Sequence, residues 1–286
     1  MVSVKHILLA AALVLLVPVS SRSRAEPERD FTTRSSLFAQ ASAQALNRDF
    51  PDPDVSFLLL DAHSGELLAS RWDHADIPIP LGSLSKPFAA LAYGQHHDFQ
   101  FPSHICLGFQ TGCWRPGGHG DVDLASAIAY SCNSYFRVLT QELVAADVSQ
   151  TADRFGIEPP DSGAFGIDLA GLGPRWRVSP LRMAHAYLQL LGNRNNPAVA
   201  QILAGMERSA RDGTGAEVDR ALQAGGAMVK TGTAACTHAR HAPGDGFAIA
   251  LAPAVEPRIL LMVRVHGVPG SRAARTAGQM LRRIGE

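Results

Sequence analysis

The sequence has no excess of charge of either sign. Its 286 residues include 26 lysines and arginines and 26 aspartates and glutamates. Nucleic-acid-binding domains usually carry a marked basic excess, so this balance argues against a nucleic-acid partner. The chain also has no internal repeat and no block with the composition of a disordered segment. Because 46% of the residues are hydrophobic, the sequence predicts a globular protein of one large domain or two small ones.

The sequence also lacks an apolar run long enough to cross a membrane. Its longest run, from Ile7 to Val19, has 13 residues, whereas a membrane span needs about 20. Lys5 and His6 precede the run, and a small-x-small site ending at Ala25 follows it. This order is typical of a secretory signal, so residues 1–25 are predicted to be one. We expect an exported protein, in the periplasm or at the outer face of the inner membrane; an uncleaved segment would associate it with the membrane.

The hydrophobic pattern predicts strands at both ends of the folded part and helices between them. A hairpin is expected at 55–72, and three more strands are expected within 226–266. Helices are expected over 31–50, 83–96, 124–144, 148–155, 180–191, 198–208 and 271–284, and residues 97–122 are expected to be irregular. This order favours an α+β protein with one antiparallel sheet flanked by helices, in which residues from about 83 to 210 form a second lobe. The predicted domain spans residues 26–286.

One short motif combines a hydroxyl with an amine. Ser83 and Lys86 form an S-x-x-K motif, and residues three apart on a helix lie on one face. Pro87 supports the helix, because proline is tolerated in the first turn, where its missing N–H is not needed. The motif therefore predicts a nucleophile beside a base at the start of a helix. Taken alone it is weak, since a solvent-facing serine and lysine would look the same.

Two further motifs are equally ambiguous in isolation. Ser131-Cys132-Asn133 offers a hydroxyl that can relay a proton and an amide that can bind a peptide. The alternative is a polar turn between helices. Lys230-Thr231-Gly232-Thr233 ends an apolar strand with groups that suit a carboxylate, and Gly232 would let a ligand backbone approach. The alternative is a lysine that protects an edge strand from aggregation.

In this order and at these separations, S-x-x-K, S-x-N and K-T-G resemble the signature of the penicillin-recognising serine enzymes. These are the penicillin-binding proteins and the serine β-lactamases. The resemblance covers about residues 32–284 and includes the hairpin at 55–72, with a D-x-x-x-G-E turn, and Gly213-Thr214-Gly215. It implies a β-lactamase/transpeptidase-like fold, with a five-stranded antiparallel sheet and an all-helical lobe.

The segment from Cys113 to Phe136 is similar to the elongation-type class B penicillin-binding proteins. Those proteins normally carry a large N-terminal pedestal domain, whereas only about 30 residues separate the predicted signal from the hairpin here. We therefore expect a bare transpeptidase module. This departure leaves membrane association and partners in cell-wall synthesis open.

The resemblance implies acyl transfer through a covalent intermediate, without a cofactor. Ser83 would attack the carbonyl of a D-alanyl-D-alanine stem peptide of peptidoglycan, and Lys86 would act as the base. Ser131 would carry a proton to the leaving amine, and Asn133 would hold the peptide amide. Lys230, Thr231 and Thr233 would bind the terminal carboxylate. β-Lactam antibiotics would acylate the same serine.

Two other functions compete with a D,D-transpeptidase or D,D-carboxypeptidase. A serine β-lactamase needs a base for deacylation, and the E-x-x-L-N pattern of class A enzymes is missing. Glu158 is the only acid near a plausible position, with a surface or capping role expected. A carbamylated Lys86, as in class D enzymes, remains an alternative. The third reading is a non-catalytic penicillin-binding sensor or scaffold.

Four cysteines complete the inventory of reactive groups. Cys106, Cys113, His119 and Cys132 offer the soft ligands of a structural zinc site, and some elongation-type relatives hold zinc in this region. Asp98 could replace Cys106 as a ligand. The alternative is a disulfide between Cys106 and Cys113, which an exported protein would favour.

The remaining cysteine and three aromatic residues are expected to have packing roles. Cys236 is predicted to be an unpaired small hydrophobic residue. Trp114, Trp176 and Phe247 could line a cleft, and core packing is the expectation for each.

Overall fold

The computed structural model describes residues 28–222, 224–237 and 244–285. The predicted signal segment lies outside these residues. The strands are β1 (Val55–Asp61), β2 (Leu67–Arg71), β3 (Ile79–Pro80), β4 (His104–Cys106), β5 (Gly120–Val122), β6 (Arg177–Val178), β7 (Met228–Ala234), β8 (Asp245–Ala252) and β9 (Ile259–Val265). The helices are α1 (Glu28–Asp49), α2 (Lys86–His96), α3 (Leu124–Ala129), α4 (Asn133–Gln141), α5 (Ala145–Arg154), α6 (Pro180–Gly192), α7 (Pro197–Asp212), α8 (Ala216–Ala221) and α9 (Gly270–Gly285).

The main sheet joins strands from the two ends of the chain, which confirms the predicted fold class. Its five antiparallel strands lie in the order β2-β1-β9-β8-β7. Two short antiparallel pairs, β3 with β6 and β4 with β5, lie outside it. The second pair falls in the segment 97–122, which the sequence pattern left irregular.

Both faces of the sheet are buried, and β1 shows how. Successive side chains of a strand point to opposite faces. Leu58 and Leu60 join the core shared with the helical lobe, whereas Phe57 and Leu59 join a second core with residues of α9. This arrangement explains the continuous apolar run that predicted the strand. Among the described residues, no helix is long and apolar enough to cross a membrane.

The prediction of one continuous helix over residues 124–144 is wrong, because the helix is interrupted at Ser131. Ser131 adopts a left-handed backbone conformation with φ of 50°. The Cys132 N–H donates to the Ala127 carbonyl, closing α3 with the hydrogen bond of a Schellman motif. Glycine usually occupies the left-handed position of that motif, so the serine at this position did not indicate a helix end in the sequence. A new helix, α4, then begins at Asn133.

A short 3₁₀ turn, Gly82–Ser85, packs directly against β7. A Cβ atom added to Gly82 would overlap the backbone carbonyl of Thr233, and one added to Gly232 would overlap the carbonyl of Leu81. The two glycines therefore let the turn and the strand approach each other backbone to backbone. The chain itself, rather than a ligand, occupies the space beside Gly232.

We predict that Gly232→Ala destabilises the protein, because the new Cβ forces the turn away from β7. The free energy of unfolding should fall by about 1–3 kcal/mol, the usual cost of overpacking. Gly192→Ala is the matched control, since no atom lies within 4 Å of a Cβ added at this exposed helix end. Thermal melts of both variants measure the difference, and equal melting temperatures would contradict the packing argument.

Candidate active site

A cleft of about 190 Å³ opens where β7 meets the helical lobe. It contains residues from each of the three motifs, which are far apart in the sequence. We refer to it as the cleft; it is lined by Ser83, Trp114, Ser131, Asn133, Leu172, Thr214, Thr231, Thr233, Pro269, Gly270 and Ser271. The side chains of Ser83, Ser131, Asn133, Thr231 and Thr233 had been predicted to form one site, and the fold brings them together.

Ser83 lies in the 3₁₀ turn that leads into α2. Pro87 occupies the first turn of α2, as the sequence predicted. Ser83 is only 8% exposed, yet its side chain borders the cleft. Within the described part of the chain, no group hydrogen-bonds its Oγ. The hydroxyl is therefore available to a molecule bound in the cleft.

Lys86 is completely buried and points beneath the cleft toward the break between α3 and α4. Its Nζ donates to the carbonyl oxygen of Ser131 at 2.8 Å and to Asn133 Oδ1 at 2.7 Å, and lies 3.3 Å from Ser131 Oγ. The amine thus joins the S-x-x-K motif to both polar residues of the S-x-N motif. Since Lys86 already occupies the carbonyl oxygen of Asn133, the amide nitrogen of Asn133 remains for a ligand.

Lys230 approaches the same hydroxyl from the opposite side. It is also completely buried, and its Nζ lies 3.1 Å from Ser131 Oγ and 2.7 Å from the carbonyl oxygen of Thr231. Two amines therefore share one serine oxygen. Lys230 does not line the cleft, so it faces a bound ligand through Ser131 and β7 rather than directly.

Burial sets the charge state of both amines. Loss of solvent lowers the pKa of Lys86 to about 7, an effect that the thiols of Cys132 and Cys113 partly oppose. Burial, and then repulsion from Lys86, holds the pKa of Lys230 well below its usual range. Within the described residues, neither amine forms an ion pair with a carboxylate. A buried amine without such a partner favours its neutral form, which can accept a proton.

Three threonine hydroxyls lie together on the β7 side of the cleft. Thr231 Oγ1 lies 2.7 Å from Thr214 Oγ1, and Thr233 Oγ1 accepts a hydrogen bond from the Gly270 N–H at 2.9 Å. Sequence reasoning singled out Thr231 and Thr233 as ligand-binding residues but not Thr214. The G-T-G context of Thr214 was the available signal, because it repeats the hydroxyl-beside-glycine pattern of the K-T-G motif.

Trp114 contradicts the expectation of core packing. Its side chain is half-exposed and lines the cleft, and its Nε1 donates to the carbonyl oxygen of Ser131 at 3.2 Å. Trp176 and Phe247 are buried as predicted. A tryptophan in a glycine- and cysteine-rich loop gives no periodic signal, so its orientation could not be inferred from the sequence.

Glu158 lies away from the cleft. Its carboxylate accepts the Ser179 N–H at 3.0 Å and lies 3.5 Å from the guanidinium of Arg182. Of the described residues that line the cleft, none is an aspartate or a glutamate. The structural role expected for Glu158 therefore agrees with its contacts.

The four predicted zinc ligands converge directly behind the S-x-N motif. Cys106 Sγ and Cys113 Sγ each lie 3.5 Å from His119 Nδ1, and Cys113 Sγ lies 3.8 Å from Cys132 Sγ. All four ligand atoms lie within 4.8 Å of one another. A tetrahedral zinc with arms of about 2.3 Å places neighbouring sulfur ligands about 3.8 Å apart, so the cluster fits the metal.

The protonation of the cluster also suits a cation. The Cys132 thiol donates to the Cys113 sulfur, which lowers the pKa of Cys113 and raises that of Cys132. A cation would favour thiolates throughout. Cys106, Cys113 and Cys132 form no disulfide with one another. Asp98, the substitute ligand considered for Cys106, does not belong to the cluster.

The comparison with known families decides what kind of domain this is. The family model described as the penicillin-binding protein transpeptidase domain matches residues 55–286. The chain belongs to this family. None of the curated proteins matches the chain in sequence.

Solved structures of penicillin-binding proteins share the fold. PBP2 of Pseudomonas aeruginosa, in complex with WCK 5153, is 17% identical with a TM-score of 0.67, and the match covers 88% of this chain and 73% of that one. PBP2 of Helicobacter pylori, in complex with MreC, is 17% identical with a TM-score of 0.69, over 86% and 62% of the two chains. The transpeptidase domain of Burkholderia pseudomallei penicillin-binding protein 3 is 16% identical with a TM-score of 0.64, over 88% and 92%.

We predict that Lys86 titrates near pH 7 rather than near the ordinary lysine value of about 10.4. Burial disfavours the ammonium, so Lys86 should lose its proton as the pH rises through about 7. The chain contains only three lysines, Lys5, Lys86 and Lys230, so selective ¹⁵N-lysine labelling gives a simple NMR spectrum. Loss of the signal in Lys86→Gln assigns it, and a titration midpoint above pH 9 would contradict the prediction.

Proposed function

We propose that this transpeptidase-family chain is a serine acyltransferase that acts on D-alanyl-D-alanine stem peptides of peptidoglycan. The observation that carries the proposal is the pair of buried amines on Ser131 Oγ, directly beneath the cleft that Ser83 borders. This arrangement supplies a nucleophile, a base and a proton relay in one place. The product is a cross-linked peptide when the acceptor is an amine, and a trimmed peptide when it is water.

In the first step, Ser83 Oγ attacks the penultimate carbonyl of the stem peptide. Lys86 takes the serine proton, because its burial makes the neutral amine accessible near neutral pH. Ser131, held by both lysines, then transfers its proton to the departing D-alanine nitrogen and regains one from protonated Lys86. The bond to Ser83 forms, the peptide bond breaks, and an acyl-enzyme remains.

The other groups of the cleft orient the substrate. The hydroxyls of Thr231 and Thr233 bind the terminal carboxylate, with the buried amine of Lys230 behind them. The free amide nitrogen of Asn133 binds a peptide carbonyl. The backbone N–H groups of Ser83 and Thr233 form the oxyanion hole, in which one donor is worth about 3–4 kcal/mol of transition-state stabilisation.

Two of the solved relatives are complexes. A PBP2 structure contains WCK 5153, and another contains MreC. We propose from the MreC complex that the chain works with cell-wall synthesis proteins as an elongation-type enzyme, and from the family match that β-lactams acylate Ser83. Export to the periplasm, or to the outer face of the inner membrane, would place the cleft beside peptidoglycan.

A β-lactamase is the alternative enzyme. Rapid deacylation needs a base beside the acylated serine, and no carboxylate lines the cleft among the described residues. A carbamylated Lys86 would supply a base, but the Lys86 amine donates to two oxygens that can only accept, the Ser131 carbonyl and Asn133 Oδ1. The oxygens of a carbamate would be repelled there. The contacts therefore favour the transpeptidase or carboxypeptidase.

We predict that Ser83→Ala abolishes covalent labelling by a fluorescent penicillin, because the nucleophilic oxygen is lost. Ser64→Ala, at an exposed turn, is the control and should label like the unaltered protein. Gel fluorescence measures both. Persistent labelling of Ser83→Ala would remove Ser83 as the nucleophile, and absence of both labelling and hydrolysis in the unaltered protein would favour the sensor or scaffold.

Nitrocefin separates the two enzymes. We predict a single burst of about one equivalent per protein, followed by slow turnover, because no deacylation base lies in the cleft. The burst rate constant should rise up to about tenfold per pH unit below pH 7 and level above it, as Lys86 loses its proton. Sustained turnover that increases with added bicarbonate would instead indicate a class D-like β-lactamase.

We also propose that Cys106, Cys113, His119 and Cys132 hold a structural zinc ion. Cys132 lies between Ser131 and Asn133, so a bound cation would fix the position of both catalytic side chains. No catalytic step passes through it. The alternative disulfide between Cys106 and Cys113 would leave Cys132 and His119 without this role.

We predict that Cys113→Ser lowers the zinc content of the purified protein by one equivalent. Elemental analysis after gentle purification measures the change, and the melting temperature should fall with it. Ser149→Ala, at a helix position away from the cluster, should keep the metal. Unchanged zinc content in Cys113→Ser, or a Cys106–Cys113 disulfide found by mass spectrometry, would overturn the proposal.

A further inference from the structure

A second group of metal-ligand side chains lies at one end of the main sheet, apart from the first cluster. Cys236 follows β7, Asp245 begins β8, and His266 follows β9. The antiparallel register pairs Ala234 with Asp245 and Gly246 with Val265. The thiol, the carboxylate and the imidazole therefore lie at the same end of three neighbouring strands.

The side chains of Cys236 and Asp245 converge on one ring nitrogen of His266. His266 Nδ1 lies 2.7 Å from Asp245 Oδ1 and 3.5 Å from Cys236 Sγ. All three ligand atoms lie within 4.8 Å of one another. One ring nitrogen carries at most one proton, so it can donate to only one of these two neighbours. Cys236, predicted to be an unpaired small hydrophobic residue, instead contacts this polar pair.

The carboxylate and the imidazole of this group are shielded from solvent. Asp245 is only 3% exposed and the side chain of His266 is 12% exposed. A divalent cation at this position would bind the carboxylate, the imidazole and a thiolate together.

We propose that Cys236, Asp245 and His266 form a second zinc site. A soft thiolate combined with an imidazole and a carboxylate selects zinc over calcium or magnesium, which prefer oxygen ligands. The separation of His266 Nδ1 from Asp245 Oδ1 would widen to about 3.3 Å around a tetrahedral ion. Three protein ligands leave a coordination position open, so this zinc exchanges more readily than one held by three cysteines and a histidine.

The site lies at the rim of the cleft. Cys236 comes three residues after Thr233, and Gly270 and Ser271 come shortly after His266; all three of these neighbours line the cleft. The Thr233 hydroxyl already accepts the Gly270 N–H. A zinc ion would tie the end of β7 to the segment that leads into α9, and so hold both walls of the carboxylate-binding end of the cleft. Cys236, Asp245 and His266 are thus positioning residues.

The test compares zinc stoichiometry in the purified full chain. The unaltered protein should bind one equivalent more than Cys236→Ser. Cys113→Ser is the matched control, because it changes a cysteine of the first cluster and leaves the second cluster intact. Elemental analysis and titration with zinc measure the difference. Equal zinc binding by the unaltered protein and Cys236→Ser would overturn the proposal, whatever the first cluster holds.

Cobalt gives an independent readout. The variant Cys106→Ser/Cys113→Ser/Cys132→Ser leaves Cys236 as the only thiol, because the sequence has four cysteines. With Co²⁺ in place of zinc, this variant should still show thiolate-to-metal charge-transfer absorption from Cys236, and the band should disappear when Cys236→Ser is added. Asp245→Asn and His266→Gln serve if Cys236→Ser fails to fold, and each should lose one equivalent. A folded triple variant without that band would overturn the site. These measurements use no penicillin, so Ser83→Ala should behave like the unaltered protein even if the proposed acyl transfer is wrong.

Discussion

Two fully buried amines converge on one hydroxyl oxygen, and the rest of the site depends on that contact. Lys86 and Lys230 both reach Ser131 Oγ, and within the described residues no carboxylate compensates either charge. Two ammonium groups this close in a desolvated site repel each other, so a neutral amine is the stable resting form. The left-handed backbone at Ser131, which costs about 1–2 kcal/mol, persists because both helices and both lysines fix it.

Residues on both sides of Ser131 hold it in contact with the two lysines. Cys132 separates Ser131 from Asn133 and faces the first cysteine cluster, while Trp114 covers the Ser131 carbonyl from the cleft side. The second cluster, Cys236, Asp245 and His266, lies close in sequence to Thr233 and Gly270, which line the cleft. The first cluster thus adjoins the S-x-N motif, and the second adjoins the segments that follow the K-T-G motif.

Much of this arrangement could be predicted from the sequence, because local rules decide it. The position of Ser83 and Lys86 at the start of a helix follows from their spacing and Pro87, although Ser83 lies in a 3₁₀ turn before α2. The five strands follow from apolar runs with turn residues between them. The break at Ser131 could not be predicted, since a serine takes a glycine-like conformation there. The orientation of Trp114 and the contacts of Cys236 depend on loops and on strand register, which a residue pattern does not specify.

The close backbone contact at Gly82 and Gly232 restricts the relative motion of the two segments that carry them. With no side chain between them, the turn that carries Ser83 and the strand that carries Thr233 must move as one rigid body. The backbone N–H groups of Ser83 and Thr233 therefore keep a fixed separation. Trp114, whose indole N–H is held by the Ser131 carbonyl, lies across the cleft from this fixed pair.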